Sequence, residues 1–368
     1  MPWFALKTVK GIGNHIFKRL IDTFRLPEHV FEASDIDLLQ VKGVTPRLAF
    51  AIKNHKIPDW VKKDLDLVSK ENYRIATMTD PSYPSLLLQL PDPPPFLYVY
   101  GNLENKSRNI AIVGSRNATK YGISATKQLA KDLVSLQITI VSGMARGIDT
   151  AAHAGALMYK GKTVAVLGSG LKRIYPPENI ILFHKIAENG AVVSEFPLFT
   201  GPEPYNFPLR NRIISGICIG TVIVEAAKKS GSLITARLAA DQGREVFAVP
   251  GSIFSFKSSG THNLIKQGAK LVADARDIIE EFSYLDEISQ LDHNIRHCKT
   301  MKNPSLTADQ QLVFEALEPY PIHLNDLVRN LSMEPGKLSS IMLELELKGI
   351  VQQSPGNYFS VAAGFGKI

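Results

Sequence analysis

The chain reads as an α/β protein built on an extended Rossmann-like, doubly wound and mainly parallel sheet. A helical segment precedes the sheet and a winged helix follows it. Three observations predict this. Between 110 and 249, short apolar runs alternate with helical patterns, the pattern of parallel strands covered on both faces. Glycine or serine follows nearly every apolar run, where such sheets open their ligand crevice. At 368 residues, 45% apolar and 21% charged, the chain is globular and too long for one ordinary domain.

Residues 1–71 form the first expected domain, helical and separate. Val9-Lys-Gly-Ile-Gly-Asn-His-Ile-Phe-Lys-Arg-Leu20 places two glycines one residue apart before helical apolar spacing. A weaker copy spans 41–50, with Thr45 where a second glycine would stand. The pair resembles helix–hairpin–helix units. Their glycines either let backbone amides approach a phosphate or merely turn one helix into the next. Residues 80–108 are a proline-rich, stiff connector, and 96–100 reads as an edge strand of the domain that follows.

The core domain, 72–283, is expected to carry strands at 110–113, 138–141, 163–167, 191–193, 221–224 and 245–249. Helices fit at 119–135, 149–160, 178–189 and 233–242. A linker, 284–305, holds His293, His297 and Cys298 without ligand-pair spacing, so no metal site is expected. Residues 306–368 read as the winged helix. Thr307 is a helix N-cap, helical patterns cover 308–317, 323–331 and 335–348, and two strands flank the turn Ser354-Pro-Gly-Asn357.

Charge is uneven. The formal net charge is +7, yet residues 110–280 hold 20 Lys/Arg against 12 Asp/Glu, and 281–368 hold 7 against 11. A basic middle fits a polyanionic partner. The acidic winged helix, whose third helix mixes Lys337 and Lys348 with Glu344 and Glu346, points to protein contact rather than DNA. The longest apolar runs fall far short of the ~20 residues that span a bilayer. No export signal is read at the N-terminus. Cys218 and Cys298 make no disulfide framework, and Cys218 reads as a core residue. A cytoplasmic protein without cofactor or metal is expected.

The densest stretch is Asn206-Phe-Pro-Leu-Arg-Asn-Arg-Ile-Ile-Ser-Gly216, just before the apolar run 217–224. Charged side chains are costly in a core. Two arginines, an asparagine and a ring at the mouth of a strand therefore suggest an anionic, stackable partner. Val113-Gly-Ser-Arg116 and Val141-Ser-Gly-Met-Ala-Arg-Gly-Ile-Asp149 add glycine-and-arginine turns, so the partner looks like a polyphosphate strand. Arg146 either meets phosphate or braces its turn against Asp149. Lys172 and Arg173 sit in a loop at a strand end and read as phosphate contacts, and His153 as a structural histidine. Glu225 ends a strand. It is a general base, a partner for Arg210 or Arg212, or a cap for Ser230-Gly-Ser232. Two nucleotide motifs fail on context. Residues 156–163 match a relaxed P-loop but run helix, turn, strand. Gly168-Ser-Gly170 lacks the third glycine and the helix of a dinucleotide fingerprint.

In order and spacing, Ile112-Val-Gly-Ser-Arg116, the Ser142-to-Asp149 turn, Tyr175-Pro176, Phe207-Pro-Leu-Arg-Asn-Arg-Ile-Ile-Ser-Gly216, Glu225-Ala226, Ser230-Gly-Ser-Leu-Ile-Thr-Ala236 and Val249-Pro-Gly251 resemble the DNA-processing protein A family (DprA, also called Smf). The resemblance covers roughly 72–283. It implies a non-catalytic, homodimeric protein that binds and protects single-stranded DNA in natural transformation and loads the RecA recombinase. Carried over by motif, Arg116, Arg146, Lys172, Phe207, Arg210, Asn211 and Arg212 contact DNA. Gly114, Ser115, Ser142, Gly143, Gly147, Ser230, Gly231 and Ser232 offer donors to phosphates. Phe207 stacks a base or anchors in the core. Ala240, Asn263, Leu264, Lys266 and Gln267 resemble the dimer and RecA-facing edge. An enzyme reading competes: lysine-decarboxylase-like nucleotide hydrolases share the sheet plan, with Glu225 as catalyst. This chain lacks their dense Gly-Gly turn before the glutamate and has arginines instead.

Overall fold

The computed structural model describes residues 1–105, 108–282, 306–317 and 321–361; His293, His297 and Cys298 lie outside them. All six strands expected between 110 and 249 form, and three others join them in one nine-stranded sheet. These are β1 (Tyr73–Thr77), β2 (Phe96–Gly101), β3 (Asn109–Gly114), β4 (Thr139–Ser142), β5 (Thr163–Val166), β6 (Gly190–Ser194), β7 (Gly220–Val224), β8 (Glu245–Ala248) and β9 (Lys270–Leu271). Their spatial order is β1-β2-β6-β5-β4-β3-β7-β8-β9. From β6 to β9 every pairing is parallel, and β3, β4, β5 and β7 are buried almost end to end. Helices cover both faces, as a buried parallel sheet requires.

The chain leaves β3 toward β4, β5 and β6, then crosses back to β7 on the other side of β3. The β3/β7 pair is therefore the topological switch point, where the strands' carboxyl ends open a crevice. The register pairs Gly114 with Val224, so both chains leave the sheet at the same level.

One strand differs from its expected place. Phe96–Gly101 is not the edge. It pairs antiparallel with β6 on one side and with β1 on the other. The edge is β1, Tyr-Arg-Ile-Ala-Thr, whose half-exposed polar residues leave no apolar run to detect.

The N-terminal helices are not separate either. The Phe4 ring stacks on Phe96 with centroids 4.1 Å apart. Lys18 donates to the carbonyls of Leu88 and Leu90, each at 2.9 Å. Leu6, Phe17, Leu38 and Ile52 share one continuous core with Ile213 and Ile223. Helices of 6 to 12 residues cannot stand alone in water, and the sheet supplies the apolar surface they need. In the second hairpin, Thr45 is a helix cap whose hydroxyl accepts from the Leu48 amide at 3.3 Å.

The C-terminal module has the expected winged-helix form. Helices Ala308–Ala316, Leu324–Leu331 and Pro335–Leu347 pack around their own core against β10 (Ile322–His323), β11 (Val351–Ser354) and β12 (Tyr358–Val361). Thr307 and Gln310 form a capping box. Lys337 is held by Asp309 at 2.7 Å and Lys348 by Gln310 at 2.9 Å, so both lysines work inside the module. Among the described residues no helix is long and apolar enough to cross a membrane.

Asp64 fastens the helices to the sheet. Its buried carboxylate accepts from the Tyr98 hydroxyl at 2.9 Å and the Leu198 amide at 3.1 Å. Burial, and then the Asp64 charge, push the Tyr98 hydroxyl far above its ordinary pKa. Asp64→Ala strands two buried donors and should cost about 3 kcal/mol, against about 1 kcal/mol for Tyr98→Phe. Urea midpoints followed by fluorescence of Trp3 and Trp60 measure both; equal midpoints for Asp64→Ala and wild type would contradict the tether.

Candidate nucleic-acid interface

At the β3/β7 switch point lies a groove of about 940 Å³. It is lined by the turn after β3 (Gly114, Ser115, Arg116, Asn117), by Phe207, Arg210 and Asn211, and by Lys229 with Ser230, Gly231 and Ser232. A smaller recess of about 200 Å³ adjoins it, lined by Arg116, Gly143, Arg146, Tyr175 and Phe207.

Close backbone approach builds this floor. A Cβ on Gly114 would sit 1.8 Å from the Val224 carbonyl oxygen, so only glycine lets β3 leave the sheet there. Gly147 has φ +74°, and a Cβ there would fall 2.3 Å from the Ser115 oxygen, a second position open to glycine alone. The Ile148 amide donates to that same oxygen at 3.2 Å. The two glycine-and-arginine turns are thereby locked together. The helix Ile148–Met158 follows, and Asp149 at its start accepts from the Gly143 and Ala145 amides at 3.1 and 3.3 Å. Burial raises the Asp149 pKa, and Arg210 opposes that rise. Arg146 does not brace Asp149; it is largely exposed and pairs with Glu178.

Residues 206–216 are a helix rather than the mouth of a strand. Pro208 lies in its first turn, where an amide has no helical acceptor. Helical spacing then turns Phe207, Arg210, Asn211 and Ile214 toward the groove and Arg212 away from it. Both arginines are buried, at 3% and 7% exposure, against the expectation that this charge lies at the surface. Arg210 donates through one nitrogen to the carbonyls of Gly143 and Val166, both at 2.6 Å. Desolvation brings its pKa down to about 10, so it stays charged at neutral pH in the groove's lining.

Arg212 is a structural residue. It donates to Glu195 at 2.5 Å and to the Asp92 carbonyl at 2.8 Å and does not line the groove. Burial raises the Glu195 pKa and Arg212 pulls it back. Ser142 is wholly buried and donates to the Ile112 carbonyl at 2.6 Å, stitching β4 to β3 instead of facing phosphate. Lys172 pairs with Glu71 at 2.6 Å beside the Tyr73 ring, off the groove.

Glu225 neither pairs with Arg210 or Arg212 nor caps Ser230-Gly-Ser232. With φ +53°, its carboxylate turns back and accepts from the Thr119 amide at 2.9 Å and from the Thr119 hydroxyl. It thus anchors the start of the helix Lys120–Ser135 and does not line the groove. His153 is structural as expected. Its Nδ1 meets the Thr163 hydroxyl at 2.7 Å, and burial pushes its pKa down to about 3. Cys218 lies in the core.

The Phe207 ring faces the groove and also has a backing. The Arg116 guanidinium lies 5.3 Å from its centroid and that of Arg210 5.9 Å away. Tyr175 stands at 5.9 Å with a tilt of 52°. Gly168 leaves room behind, where a Cβ would come within 2.8 Å of the ring. Ser230 and Ser232 touch through their hydroxyls at 2.8 Å at the start of the helix Ser232–Asp241, whose positive end favours an anion. The edge residues Ala240, Asn263, Lys266 and Gln267 are exposed and Leu264 is half-buried, on helices that pack beside β8. Sequence reasoning left out Asn117, Tyr175, Lys229, Phe256 and Lys257 as site residues. Tyr175 and Lys229 had a signal: the Tyr-Pro pair, and the lysine pair that follows Glu225-Ala-Ala227.

A doubly wound sheet that gathers glycine and serine turns, arginines and a ring at its switch point defines a Rossmann-like protein. The chain belongs to the DNA recombination-mediator protein A family, which matches residues 74–283, and the DprA winged helix domain matches 299–357. It is 34% identical to protein Smf of Synechocystis over 96% of both chains. It is 38% identical to protein Smf of Escherichia coli, over 97% of this chain and 94% of that one. Among solved structures, DprA of Streptococcus pneumoniae matches 76% of this chain and 98% of its own, at 35% identity and TM-score 0.65. DNA processing protein A of Helicobacter pylori, solved for its single-stranded DNA binding mode, matches 60% and 97%, at 29% identity and TM-score 0.52.

Two outcomes separate structural from groove-facing charge. Arg212→Ala leaves Glu195 buried without its partner and should cost about 3–5 kcal/mol, with part restored in Arg212→Ala/Glu195→Leu. Arg116→Ala should stay within about 0.5 kcal/mol of wild type. Thermal melts of the four proteins decide it, and equal losses for the two single variants would refute the division.

His153 gives a pH dependence. Its folded pKa lies below the unfolded value of about 6.5, so the unfolded chain binds the extra proton. Stability is therefore intact above pH 6.5 and falls as pH drops toward 3. His153→Gln should flatten the curve over that window by up to about 1.4 kcal/mol per pH unit; superimposable slopes in urea titrations would show the ring does not bury neutral.

Proposed function

We propose that this protein binds single-stranded DNA without catalysis, shields strands taken up in natural transformation, and delivers them to RecA as a homodimer in the cytoplasm. The observation that carries the reading is the groove at the β3/β7 switch point. It joins the exposed Arg116, a ring flanked by two guanidiniums and serine and glycine donors at the turns after two neighbouring strands, β3 and β7. Charge follows a phosphate backbone and the ring stacks on any base, the two requirements of sequence-tolerant strand binding. The likeness to a Helicobacter pylori protein studied for its single-stranded DNA binding mode and the family's description as a recombination mediator support it.

Two features favour binding over hydrolysis. The carboxylate an enzyme would use, Glu225, is committed to Thr119. The donors are spread over the turns after β3 and β7, more than one nucleotide phosphate needs. RecA delivery and dimerisation rest on the family resemblance and on the exposed residues Ala240, Asn263, Lys266 and Gln267. The winged helix, with its lysines internally paired, suits a protein contact.

Fluorescence anisotropy of labelled oligothymidine, single-stranded against duplex and over a salt series, tests the reading. Wild type should prefer the single strand with strong salt dependence. Arg116→Ala should weaken binding uniformly and lower the salt slope by about 1. Removal of 306–368 should leave strand affinity within threefold. No strand preference in wild type would overturn the reading.

A further inference from the structure

The groove has a second wall that its motifs do not account for. After β8 the chain runs Pro250-Gly-Ser-Ile-Phe-Ser-Phe-Lys257. Ile253, Phe254 and Phe256 are 81%, 92% and 71% exposed. Large apolar side chains exposed this fully and this close together mark a contact surface. Phe256 and Lys257 line the same groove as Phe207 and Arg116.

The loop is anchored. The Tyr121 hydroxyl donates to the Pro250 carbonyl at 2.9 Å, and His262 meets the Gly251 carbonyl at 3.0 Å. The Ser255 and Ser258 amides donate back to the Ser252 and Ser255 carbonyls, each at 3.0 Å, and the Gly260 amide to the Ala226 carbonyl at 2.7 Å. Lys257 reaches across to donate to the Asn117 carbonyl, which ties the loop to the turn after β3. Phe256 is thus presented from a braced support.

We propose that Phe256, with Phe254 beside it, is a second base-stacking platform, taking a nucleobase of the same strand whose other base rests on Phe207. The occupant follows from continuity and charge. Arg116, Lys229 and Lys257 line the space between the platforms, and Asp149, the sole acid there, is turned to the Gly143 and Ala145 amides. An acidic, ring-bearing polymer satisfies both features, and a volume of about 940 Å³ stands at the upper end of what one small ligand fills. The strand would pass from the Tyr175 and Phe207 recess, over the donors of Ser115 and Ser230–Ser232, to Phe256. The inference rests on the single-strand reading above.

The test uses the full chain with a labelled 20-nucleotide oligothymidine over a salt series, and sedimentation velocity alongside. Phe256→Ala changes an exposed side chain and should melt as wild type. It should weaken binding about tenfold, within the range of one base stack, and leave the salt slope unchanged because no charge is lost. Phe256→Trp should restore affinity. Arg116→Ala, in contrast, should lower the slope. Wild-type affinity in Phe256→Ala, with Arg116→Ala still impaired, overturns the platform and leaves the single-strand reading standing. Full strand affinity with a shift to a lighter species makes the loop a contact between copies and overturns the platform too. No single-strand binding by wild type overturns both readings.

Discussion

The site depends on one buried guanidinium. Arg210, 3% exposed, links the turn after β4 to the end of β5 through the Gly143 and Val166 carbonyls. Isolated burial of this charge would cost several kcal/mol; two carbonyl acceptors and the nearby Asp149 carboxylate offset it. Gly143 has to be glycine for this reason, since a Cβ would lie 1.9 Å from the Arg210 nitrogen. The helix carrying Arg210 also carries Phe207, so fixing the guanidinium fixes the ring. The groove is thereby shaped before any ligand arrives, which reduces the ordering cost of binding.

The second arginine of that helix extends the same logic to the N-terminal segment. Arg212 meets Glu195 at the end of β6 and Asp92 in the proline-rich connector. Lys7, from the first helix, lies close enough to the Glu195 and Arg212 charges to feel both, while burial lowers its pKa. A buried cluster of both signs therefore joins first helix, connector, sheet and groove helix. Removing one member leaves the others buried without compensation, whereas exchanging the whole set for apolar residues need not destabilise. The connector is pinned from both sides, since Lys18 of the helical segment holds the Leu88 and Leu90 carbonyls.

Elements with a strong apolar period were legible in the sequence. The strands from 110 to 249 and the four helices between them fall close to their expected places because fully buried parallel strands read as unbroken apolar runs. Two of the elements that escaped did so for opposite reasons. Edge strand β1 is half-polar. Helix Asn206–Gly216 is buried on nearly all sides, so its arginines look like surface charge until their partners are known. Those partners lie far off in sequence: Glu195 in a loop, Asp92 in the connector, Gly143 and Val166 as backbone. Composition carries no information about a carbonyl acceptor, and for that reason Arg116 and Arg212 look alike in the sequence and differ in the fold. Ser142 and Lys172 misled in the same way, each being satisfied by a distant partner.

The geometry of Glu225 argues against its use as a general base. A general base must reach a proton on its substrate, with its carboxylate open to the site. Here the backbone takes φ +53°, costly for a residue with a Cβ, and the two oxygens accept from the two donors of Thr119. Gly122 gives way to them, since a Cβ there would come 2.6 Å from the carboxyl carbon. The strain is thus spent on starting the helix Lys120–Ser135, directly behind the turn that presents Arg116. The same strand end that would serve chemistry in a nucleotide hydrolase here holds still the turn that presents Arg116, and the groove is lined by cations, amides, hydroxyls and rings with one acid, Asp149, itself turned to the Gly143 and Ala145 amides.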